Sequence, residues 1–250
     1  MSFNLTGKTA LVTGATSGLG KRFAMVLAKA GANVAITGRR AARLEALEKE
    51  IAALGVGSKA IVLDVTDDVA IGPAFDTIEA SLGPVDILVN NAGINVQGFV
   101  LDQDMTDFDS VLNTNLRAPF HLAREVGKRM IAAKREGRII NIASIGSFRV
   151  LPGLTSYCVS KAALAMMTQC LAREWARYGI NVNAICPGYI ETELNAEWFQ
   201  SAGGQKQINS FPKKRLAKEE DLDGTLLLLA SDASRAITGA LLTVDDAQSL

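Results

Sequence analysis

The sequence has few of the residues that build metal centres and disulfide frameworks. Its 250 residues include three cysteines and one histidine. Cys158, Cys170 and Cys186 are odd in number and lack the spacing of metal ligands, so a reducing, cytoplasmic location is expected and no metal site is predicted. His121 has no second histidine to share a metal with, and we interpret it as a polar position on a helix.

Net charge and long apolar runs are also missing. Lysine plus arginine number 26 and aspartate plus glutamate number 26, so the formal net charge is zero. This balance gives no global electrostatic reason to expect nucleic acid or an anionic membrane as a partner. No apolar run approaches the ~20 residues that a membrane span needs, and the first seven residues do not resemble a secretory signal. We therefore expect neither a nucleic-acid nor a membrane partner.

Short apolar runs alternate with longer helical patterns along the whole chain. The predicted strands are 8–13, 33–37, 59–63, 85–89, 138–143, 180–185 and 241–244. The predicted helices are 19–30, 41–54, 67–82, 108–136, 156–178 and 218–231, the fourth of them bent near Pro119. This alternation predicts an α/β fold with a Rossmann-like, doubly wound parallel sheet of about seven strands and helices on both faces. The 48% hydrophobic content suits a single domain over 1–250, although length alone also allows two small ones.

One irregular segment, 191–216, is longer than an ordinary connection between elements. Segments of this length in a compact domain are usually functional, so we predict a substrate lid that carries some helix of its own. In doubly wound sheets, ligands bind beyond the carboxyl ends of the strands. The motifs that follow strands are therefore the ones to examine for chemistry.

A glycine-rich turn, 13–20 (TGATSGLG), joins the first predicted strand to the first predicted helix. Glycines in such a turn let backbone amides approach a pyrophosphate at the helix N-terminus, where the helix dipole favours negative charge. A simple packing turn is the alternative, and the G-x-x-x-G-x-G spacing differs from the common G-x-G-x-x-G. Its position between strand and helix favours a dinucleotide site.

The end of the second predicted strand indicates which dinucleotide is preferred. An enzyme that uses NAD usually carries a carboxylate there to bond the ribose hydroxyls. This chain reads Thr37-Gly38-Arg39-Arg40 and has no acid at that point. Because a guanidinium can clamp a 2′-phosphate, we predict a preference for NADP(H) with Arg39 as the main contact. The alternative is that both arginines are a solvated helix start and that NAD(H) is used.

Tyr157 and Lys161 lie four residues apart in a predicted helix and so share one face. Free tyrosine has a pKa near ~10, which is too high for an efficient base at neutral pH. A nearby cation lowers that pKa, so the pair predicts proton transfer to or from a substrate. Taken alone, such a pair is more often part of an amphipathic surface.

Further motifs follow in order: 90–93 (NNAG), Asn115, Ser144, 157–161 (YCVSK), and 187–188 (PG) followed by Thr192. Together with the glycine-rich turn they resemble the short-chain dehydrogenase/reductase family, in its single-domain branch, over nearly the whole chain. The resemblance implies an NAD(P)-dependent enzyme with the catalytic residues Asn115, Ser144, Tyr157 and Lys161. A strand-end cap is the plain alternative for Ser144, and a mid-helix polar residue is the alternative for Asn115.

The resemblance assigns each of these residues a role. Tyr157 is the general acid and base, Ser144 bonds the substrate oxygen, and Asn115 holds a water that connects Lys161 to solvent. The implied cofactor contacts, besides Arg39, are Gly14, Ser17, Gly18, Leu19, Gly20, Asp64, Val65, Asn91, Ala92, Gly93, Tyr157, Lys161, Pro187, Gly188, Ile190 and Thr192.

The substrate pocket is expected between the 191–216 segment, the 95–99 loop and residues 145–154. Its candidate lining residues are apolar and suit an acyl, cyclic or aromatic substrate: Phe99, Phe148, Val150, Leu151, Leu154, Leu194, Trp198 and Phe199. The predicted reaction interconverts a ketone, or a 3-oxoacyl group, and a secondary alcohol. The alternatives are an NAD-dependent secondary-alcohol or polyol dehydrogenase and a non-catalytic dinucleotide-binding regulator on the same fold.

Similar 3-oxoacyl-thioester reductases use a basic spot for an acidic carrier protein, which Lys134 and Arg135 match. Tyr178 stands where those reductases often keep a second arginine, so this chain departs from their pattern. It also reads 244–247 (VDDA) where the family commonly reads Val-Asp-Gly-Gly, which puts the packing of the tail in question. The resemblance further implies a homotetramer or homodimer assembled through 108–136 and 156–178.

Overall fold

Seven strands form one sheet in the computed structural model of the protein, which describes residues 3–191 and 196–250. They are β1 (Thr9–Val12), β2 (Asn33–Gly38), β3 (Ser58–Val62), β4 (Ile87–Asn90), β5 (Gly137–Ile142), β6 (Ile180–Pro187) and β7 (Leu241–Val244). Their spatial order is β3-β2-β1-β4-β5-β6-β7, and neighbouring strands are parallel. The predicted doubly wound fold is confirmed, and its switch in strand order lies between β1 and β4.

Helices cover both faces of this sheet. Within the described ranges they are α1 (Gly18–Lys29), α2 (Ala41–Ala52), α3 (Asp68–Leu82), α4 (Met105–Leu112), α5 (Ala118–Ala132), α6 (Thr155–Trp175), α7 (Ala196–Gln200), α8 (Ala202–Ser210) and α9 (Asp223–Ala230). The boundaries follow local chemistry. α3, for example, begins after Asp67, whose carboxylate accepts the first backbone N–H groups of the helix, and it ends at Gly83 with φ of 83°.

Two hydrophobic cores lie on opposite sides of the sheet. Along β1, Ala10 and Val12 belong to one core and Leu11 belongs to the other, because successive side chains of a strand point to opposite faces. The first core packs α1, α2 and α9 against the sheet, and the second packs α3, α5 and α6. Burial on both faces explains why the strands read as continuous apolar runs rather than as alternating ones.

The fourth predicted helix is the largest difference from the sequence-based expectation. The structure begins it earlier, at Met105, and ends it at Ala132 instead of 136. A π-helical turn, Asn113–Arg117, separates α4 from α5, and Pro119 occupies the first turn of α5. Proline is tolerated there because it has no N–H to leave unsatisfied, but it also cannot donate to the carbonyl four residues earlier, that of Asn115. The predicted bend is therefore a wider turn that surrounds a candidate catalytic residue.

Smaller differences occur at the ends of two other helices. α6 stops at Trp175 and continues as a 3₁₀ turn, Ala176–Tyr178, before Gly179 adopts φ of 72°. α9 is preceded by a 3₁₀ turn, Glu219–Leu222. The predicted lid does carry helix, since α7 and α8 lie within 191–216, and Ile190 pairs with Ala217 where the segment rejoins the domain. Among the helices of the described ranges, none is long and apolar enough to cross a membrane.

Candidate active site

The glycine-rich turn and the segment after β4 form one backbone unit beyond the sheet. The Asn91 side chain donates to the carbonyl of Thr13 at 2.9 Å, and the Thr13 hydroxyl accepts the backbone N–H groups of Asn91 and Ala92, each at 3.1 Å. Gly14 has φ of 66°, and a Cβ on it would lie 2.8 Å from Ala92 Cα. A glycine is therefore required where the two segments cross.

The start of α1 fits an anionic group of the predicted dinucleotide. Ser17 is the N-cap residue, but its side chain makes no capping hydrogen bond. The first N–H groups of the helix therefore do not donate to the Ser17 hydroxyl. Gly18 has φ of 51°, and a Cβ on Gly20 would lie 2.5 Å from Asn91 Nδ2. Leu19 packs against the core. The backbone at this helix start is thus open to close approach by a phosphate.

The two arginines after β2 occupy different positions. Arg39 NH1 lies 4.0 Å from Asp64 Oδ2, and its side chain is 74% exposed. Arg40 donates to the Thr16 hydroxyl at 2.6 and 3.0 Å and to the Ser17 hydroxyl at 2.7 Å. The sequence predicted Arg39 as the main contact of the 2′-phosphate. It did not predict the contacts of Arg40 with the glycine-rich turn, although the Arg39-Arg40 pair was noted.

The segment after β3 closes the adenine side of the predicted cofactor site. Val65 is buried, and the Asp64 carboxylate accepts the backbone N–H and the hydroxyl of Thr66 at 3.0 and 2.7 Å. Those hydrogen bonds lower the pKa of Asp64, which therefore stays ionised at neutral pH.

Ser144, Tyr157 and Lys161 converge beyond β5. The Ser144 hydroxyl lies near the Tyr157 phenol and acts to lower its pKa. Ser144 also accepts the N–H of Gly146 at 3.0 Å, so it is a strand-end cap as well. Lys161 is buried, donates to the carbonyl of Ile142 at 2.8 Å, and lies 5.6 Å from the centroid of the Tyr157 ring.

The protonation of this cluster is governed by burial. Burial raises the pKa of Tyr157 above its usual value, and the Ser144 side chain opposes that rise. The sequence-based expectation was a lowered pKa, whereas in the protein alone partial desolvation of the phenol raises it. Burial also lowers the pKa of Lys161 to about 8. The buried thiol of Cys186, which the sequence did not single out, lies near Lys161, and burial raises its pKa to about 11.

Asn115 lies fully buried in the π-helical turn. Its side chain accepts the N–H of Ile94 at 2.8 Å and donates to the Ile94 carbonyl at 2.9 Å and to the Ser160 hydroxyl at 3.0 Å. A Cβ on Gly93 would lie 3.2 Å from Asn115 Oδ1 and 3.5 Å from Lys161 Nζ. All four candidate catalytic residues therefore meet in one cleft, with Asn115 and Lys161 on either side of Gly93.

The end of β6 borders the same cleft. Gly188 donates its N–H to the Val244 carbonyl at 3.1 Å, and the N–H of Tyr189 reaches Gln248 Oε1 at 2.6 Å. Pro187 and Ile190 are buried. Thr192, the last of the predicted cofactor contacts, lies outside the described residues, as does Leu194.

The apolar residues predicted to line the substrate pocket divide into two groups. Four are exposed, and we call these the apolar rim: Phe99, Phe148, Val150 and Trp198. Leu151 approaches Ser144, because a Cβ on Gly146 would lie 3.2 Å from Leu151 Cδ1 and 3.4 Å from Ser144 Oγ. The 95–99 loop is fixed to residues 145–154 by the pairing of Gly98 with Leu154.

Phe199 is buried and does not belong to the rim. Its ring meets the Tyr189 ring edge-on at 6.0 Å, and Phe211 stacks on Tyr189 at 5.3 Å. Tyr189 and Phe211 were missed by sequence reasoning, which had no signal for a three-ring cluster under α7 and α8. The cluster anchors these helices beside the end of β6.

The basic spot of Lys134 and Arg135 lies away from the cleft. Arg135 forms an ion pair with Asp86, the residue before β4, at the amino-terminal ends of the strands. Lys134 follows α5 with φ of 52°. Neither residue is brought to the edge of the sheet where the candidate catalytic residues meet.

Comparisons with known proteins agree with this arrangement. A family model described as short chain dehydrogenase matches residues 8–203. Gluconate 5-dehydrogenase of Gluconobacter oxydans is 35% identical over 244 residues, covering 97% of this chain and 95% of that protein. A 3-oxoacyl-(acyl-carrier-protein) reductase of Aquifex aeolicus is 36% identical over 246 residues, covering 98% of each. The crystal structure of a gluconate 5-dehydrogenase from Burkholderia cenocepacia in complex with NADP and tartrate gives a TM-score of 0.94 at 35% identity, covering 99% of this chain and 97% of that one.

Proposed function

Because the chain belongs to the short chain dehydrogenase family and is an NAD(P)-dependent oxidoreductase, we propose that it prefers NADP(H) and interconverts a ketone, or a 3-oxoacyl group, and a secondary alcohol. Tyr157 is the general acid and base in this proposal. The observation that carries it is the buried Lys161 ammonium, 5.6 Å from the centroid of the Tyr157 ring, with Ser144 beside the same phenol.

The glycine-rich turn and the end of β6 would hold the dinucleotide, which when bound would supply a hydride to the carbonyl carbon or accept one from the alcohol. Ser144 donates a hydrogen bond to the substrate oxygen and orients it toward Tyr157. Tyr157 gives its phenolic proton to that oxygen during reduction, and its raised pKa favours this acid role in the protein alone. Lys161 then restores the proton to the phenolate.

The path from Lys161 to solvent passes the π-helical turn. The Asn115 side chain is already bonded to Ile94 and Ser160, so its backbone carbonyl is the group left to hold a water. Pro119 cannot donate to that carbonyl, which therefore lacks its usual α-helical partner. We assign Asn115 the role of holding the relay water through its carbonyl.

The cofactor preference follows from charge at the end of β2. Arg39 and Arg40 place two guanidinium groups there, and the hydroxyls of Thr16 and Ser17 add donors for a 2′-phosphate. A structural relative binds NADP. NAD(H) is the other cofactor that the family uses, and the ratio of catalytic efficiencies with the two cofactors decides between them.

The substrate is inferred from the apolar rim. Exposed apolar residues clustered beside a cleft mark a binding surface, and they favour a carbonyl compound with an acyl, cyclic or aromatic substituent. The second candidate is a polyol or sugar acid, because two of the compared relatives are gluconate 5-dehydrogenases. A nicotinamide-absorbance screen of apolar ketones, 3-oxoacyl thioesters and 5-ketogluconate, each with both cofactors, separates the two.

Replacing Tyr157 tests the catalytic assignment. Tyr157→Phe should lower kcat by about 10²–10⁴-fold, since general acid catalysis typically contributes this much, while NADPH binding measured by fluorescence stays close to wild type. Tyr178→Phe is the matched control, because the Tyr178 hydroxyl contacts only the neighbouring Arg177 in the described structure and lies on the surface. Near-normal turnover by Tyr157→Phe would refute the assignment.

The assembly and location are also part of the proposal. Phe120 of α5 and Val159 and Met166 of α6 are exposed apolar residues on the two helices expected to form subunit contacts. We expect a homotetramer or homodimer, which light scattering with size-exclusion chromatography measures. The three cysteines are free thiols, in keeping with a reducing, cytoplasmic location.

A further inference from the structure

The last six residues, 245–250, form a C-terminal strap that follows β7. Asp246 and Ala247 have φ of 52° and 65°, in the left-handed region. Glycine adopts this conformation freely, whereas residues with a Cβ rarely do. The strap therefore holds Asp and Ala in a conformation that favours glycine, which strains the chain.

The Asp246 carboxylate gains two cationic partners from the end of the predicted lid. Lys213 Nζ lies 2.5 Å from its Oδ1, and Arg215 NH2 lies 2.5 Å from its Oδ2. The Asp246 side chain is 16% exposed, whereas those of Lys213 and Arg215 are 59% and 41% exposed, so added salt can still screen these contacts. The hydrogen bond from Lys213 is the largest cause of a lowered pKa for Asp246. Glycine at this position would make none of these contacts.

Gln248 joins the strap to the other end of the lid. Its Oε1 accepts the N–H of Tyr189 at 2.6 Å, and its Nε2 donates to the Arg215 carbonyl at 3.3 Å. The Tyr189 carbonyl accepts the N–H of Ala217 at 3.0 Å. The strap thus contacts the chain just before the 191–216 segment and again near its end. Asp245 fixes the strap itself, because its carboxylate accepts the N–H groups of Ala247 and Ser249 at 3.0 and 2.8 Å.

We infer that Asp246 and Gln248 are positioning residues, which hold the chain on both sides of α7 and α8, at Tyr189 and at 213–215, and so set the shape of the substrate pocket. The part of the inference that concerns substrate binding rests on the proposed function. The contacts between the strap and the lid do not depend on that function. Neither residue touches the reacting atoms. Their effect is on the position of α7, α8 and the Tyr189 backbone.

Three substitutions separate the ionic contacts from the backbone strain. Asp246→Asn removes the charge and keeps a residue that tolerates the left-handed region. Ala247→Gly relieves the strain and leaves Asp246 with both partners. Lys213→Gln removes one partner from the lid side and keeps the strap sequence intact.

The first measurement is hydrogen–deuterium exchange of the backbone over 202–217, which needs no substrate. Asp246→Asn and Lys213→Gln should speed exchange there by about three- to tenfold, because a hydrogen bond to a charged group is lost. Ala247→Gly should leave exchange in this segment unchanged and raise the Tm by about 2 °C, since glycine relieves the backbone strain. Wild-type exchange in both Asp246→Asn and Lys213→Gln would overturn the inference.

The second measurement is steady-state kinetics with the best carbonyl substrate from the screen. Asp246→Asn should raise the substrate KM by about three- to tenfold, with the Kd for NADPH within twofold of wild type. High salt should bring the wild-type KM toward that of Asp246→Asn and change the variant little. Faster exchange with an unchanged KM would overturn the substrate-positioning role. If wild type binds NADPH but reduces none of the carbonyl compounds, the proposed function fails while the exchange result still stands.

Discussion

Replacing Arg39 and Arg40 one at a time tests which guanidinium selects the 2′-phosphate. Arg39 is 74% exposed, and the Asp64 carboxylate lies 4.0 Å from it, so little holds it in place. Arg40 already donates to Thr16 and Ser17 at 2.6 to 3.0 Å. Arg39 therefore reaches a phosphate without breaking an existing hydrogen bond, whereas Arg40 has to exchange its contacts.

The size of each effect follows from that difference. A hydrogen bond between charged groups contributes about 1.5–3 kcal/mol, and exposure places Arg39 near the lower limit. Arg39→Ala should thus lower kcat/KM for NADPH by roughly tenfold, since about 1.4 kcal/mol corresponds to a factor of ten. Arg40 has to give up its contacts with Thr16 and Ser17 in order to bind the phosphate, and this loss offsets most of the binding energy that it gains. Arg40→Ala should therefore lower kcat/KM for NADPH by about threefold.

The assay is steady-state kcat/KM with NADPH and with NADH at one saturating carbonyl concentration. NADH lacks the 2′-phosphate, so its efficiency should change little in either variant. Lys49→Ala is the control, because Lys49 is an exposed cation in the last turn of α2. An equal loss with both cofactors would refute the phosphate role, and a larger loss for Arg40→Ala than for Arg39→Ala would refute the reasoning from their contacts.

Further predictions concern the acid–base residues and the glycine-rich turn. Lys161 loses its proton as pH rises through about 8, so reductase kcat should fall above that pH; a pH–rate profile without this fall would contradict the relay. Pro119→Ala supplies an N–H four residues after Asn115 and should lower kcat by about tenfold without lowering Tm; unchanged kcat would remove the carbonyl from the relay. Gly14→Ala, with φ of 66° and a 2.8 Å approach to Ala92 Cα, should lower the free energy of unfolding by about 2–4 kcal/mol in urea titrations. Gly72→Ala, in open space on α3, should instead raise it by up to about 1 kcal/mol, and similar effects of the two substitutions would contradict this reading.

The sequence was informative about the fold because the sheet is buried on both faces. Each strand then reads as an apolar run, and the crossover helices separate the runs, so strand number and parallel order follow from the pattern. The helix predicted over 108–136 was wrong at both ends and in its interior. One π-helical turn changes the spacing of apolar residues too little to be recognised in the sequence. Pro119 indicated an irregularity in the helix but not its type.

The sequence predicted some residues of the candidate site but not the contacts that their side chains make. Ser144, Tyr157, Lys161 and Asn115 were identified from ordered motifs, and the structure brings them together. Contacts that depend on where a side chain points could not be read from the sequence. Arg40 crossing to Thr16 is one such contact, and Asp246 reaching Lys213 is another, since the partners are 24 and 33 residues apart. The sequence showed that Asp246 and Ala247 replace a glycine pair, but it did not show which residues Asp246 would contact.

Pro119 also has a consequence for how reliably the cleft is connected to water. A backbone carbonyl that is exposed by helix fraying or by strain can accept a hydrogen bond from water only in part of the conformational ensemble. It becomes unavailable when the helical hydrogen bond forms again. The missing N–H of Pro119 is a covalent property, so no fluctuation of the helix supplies an α-helical donor to the Asn115 carbonyl. In the proposed relay, the Asn115 carbonyl therefore remains without that donor while cofactor and substrate exchange, and no strain energy is needed to keep it so.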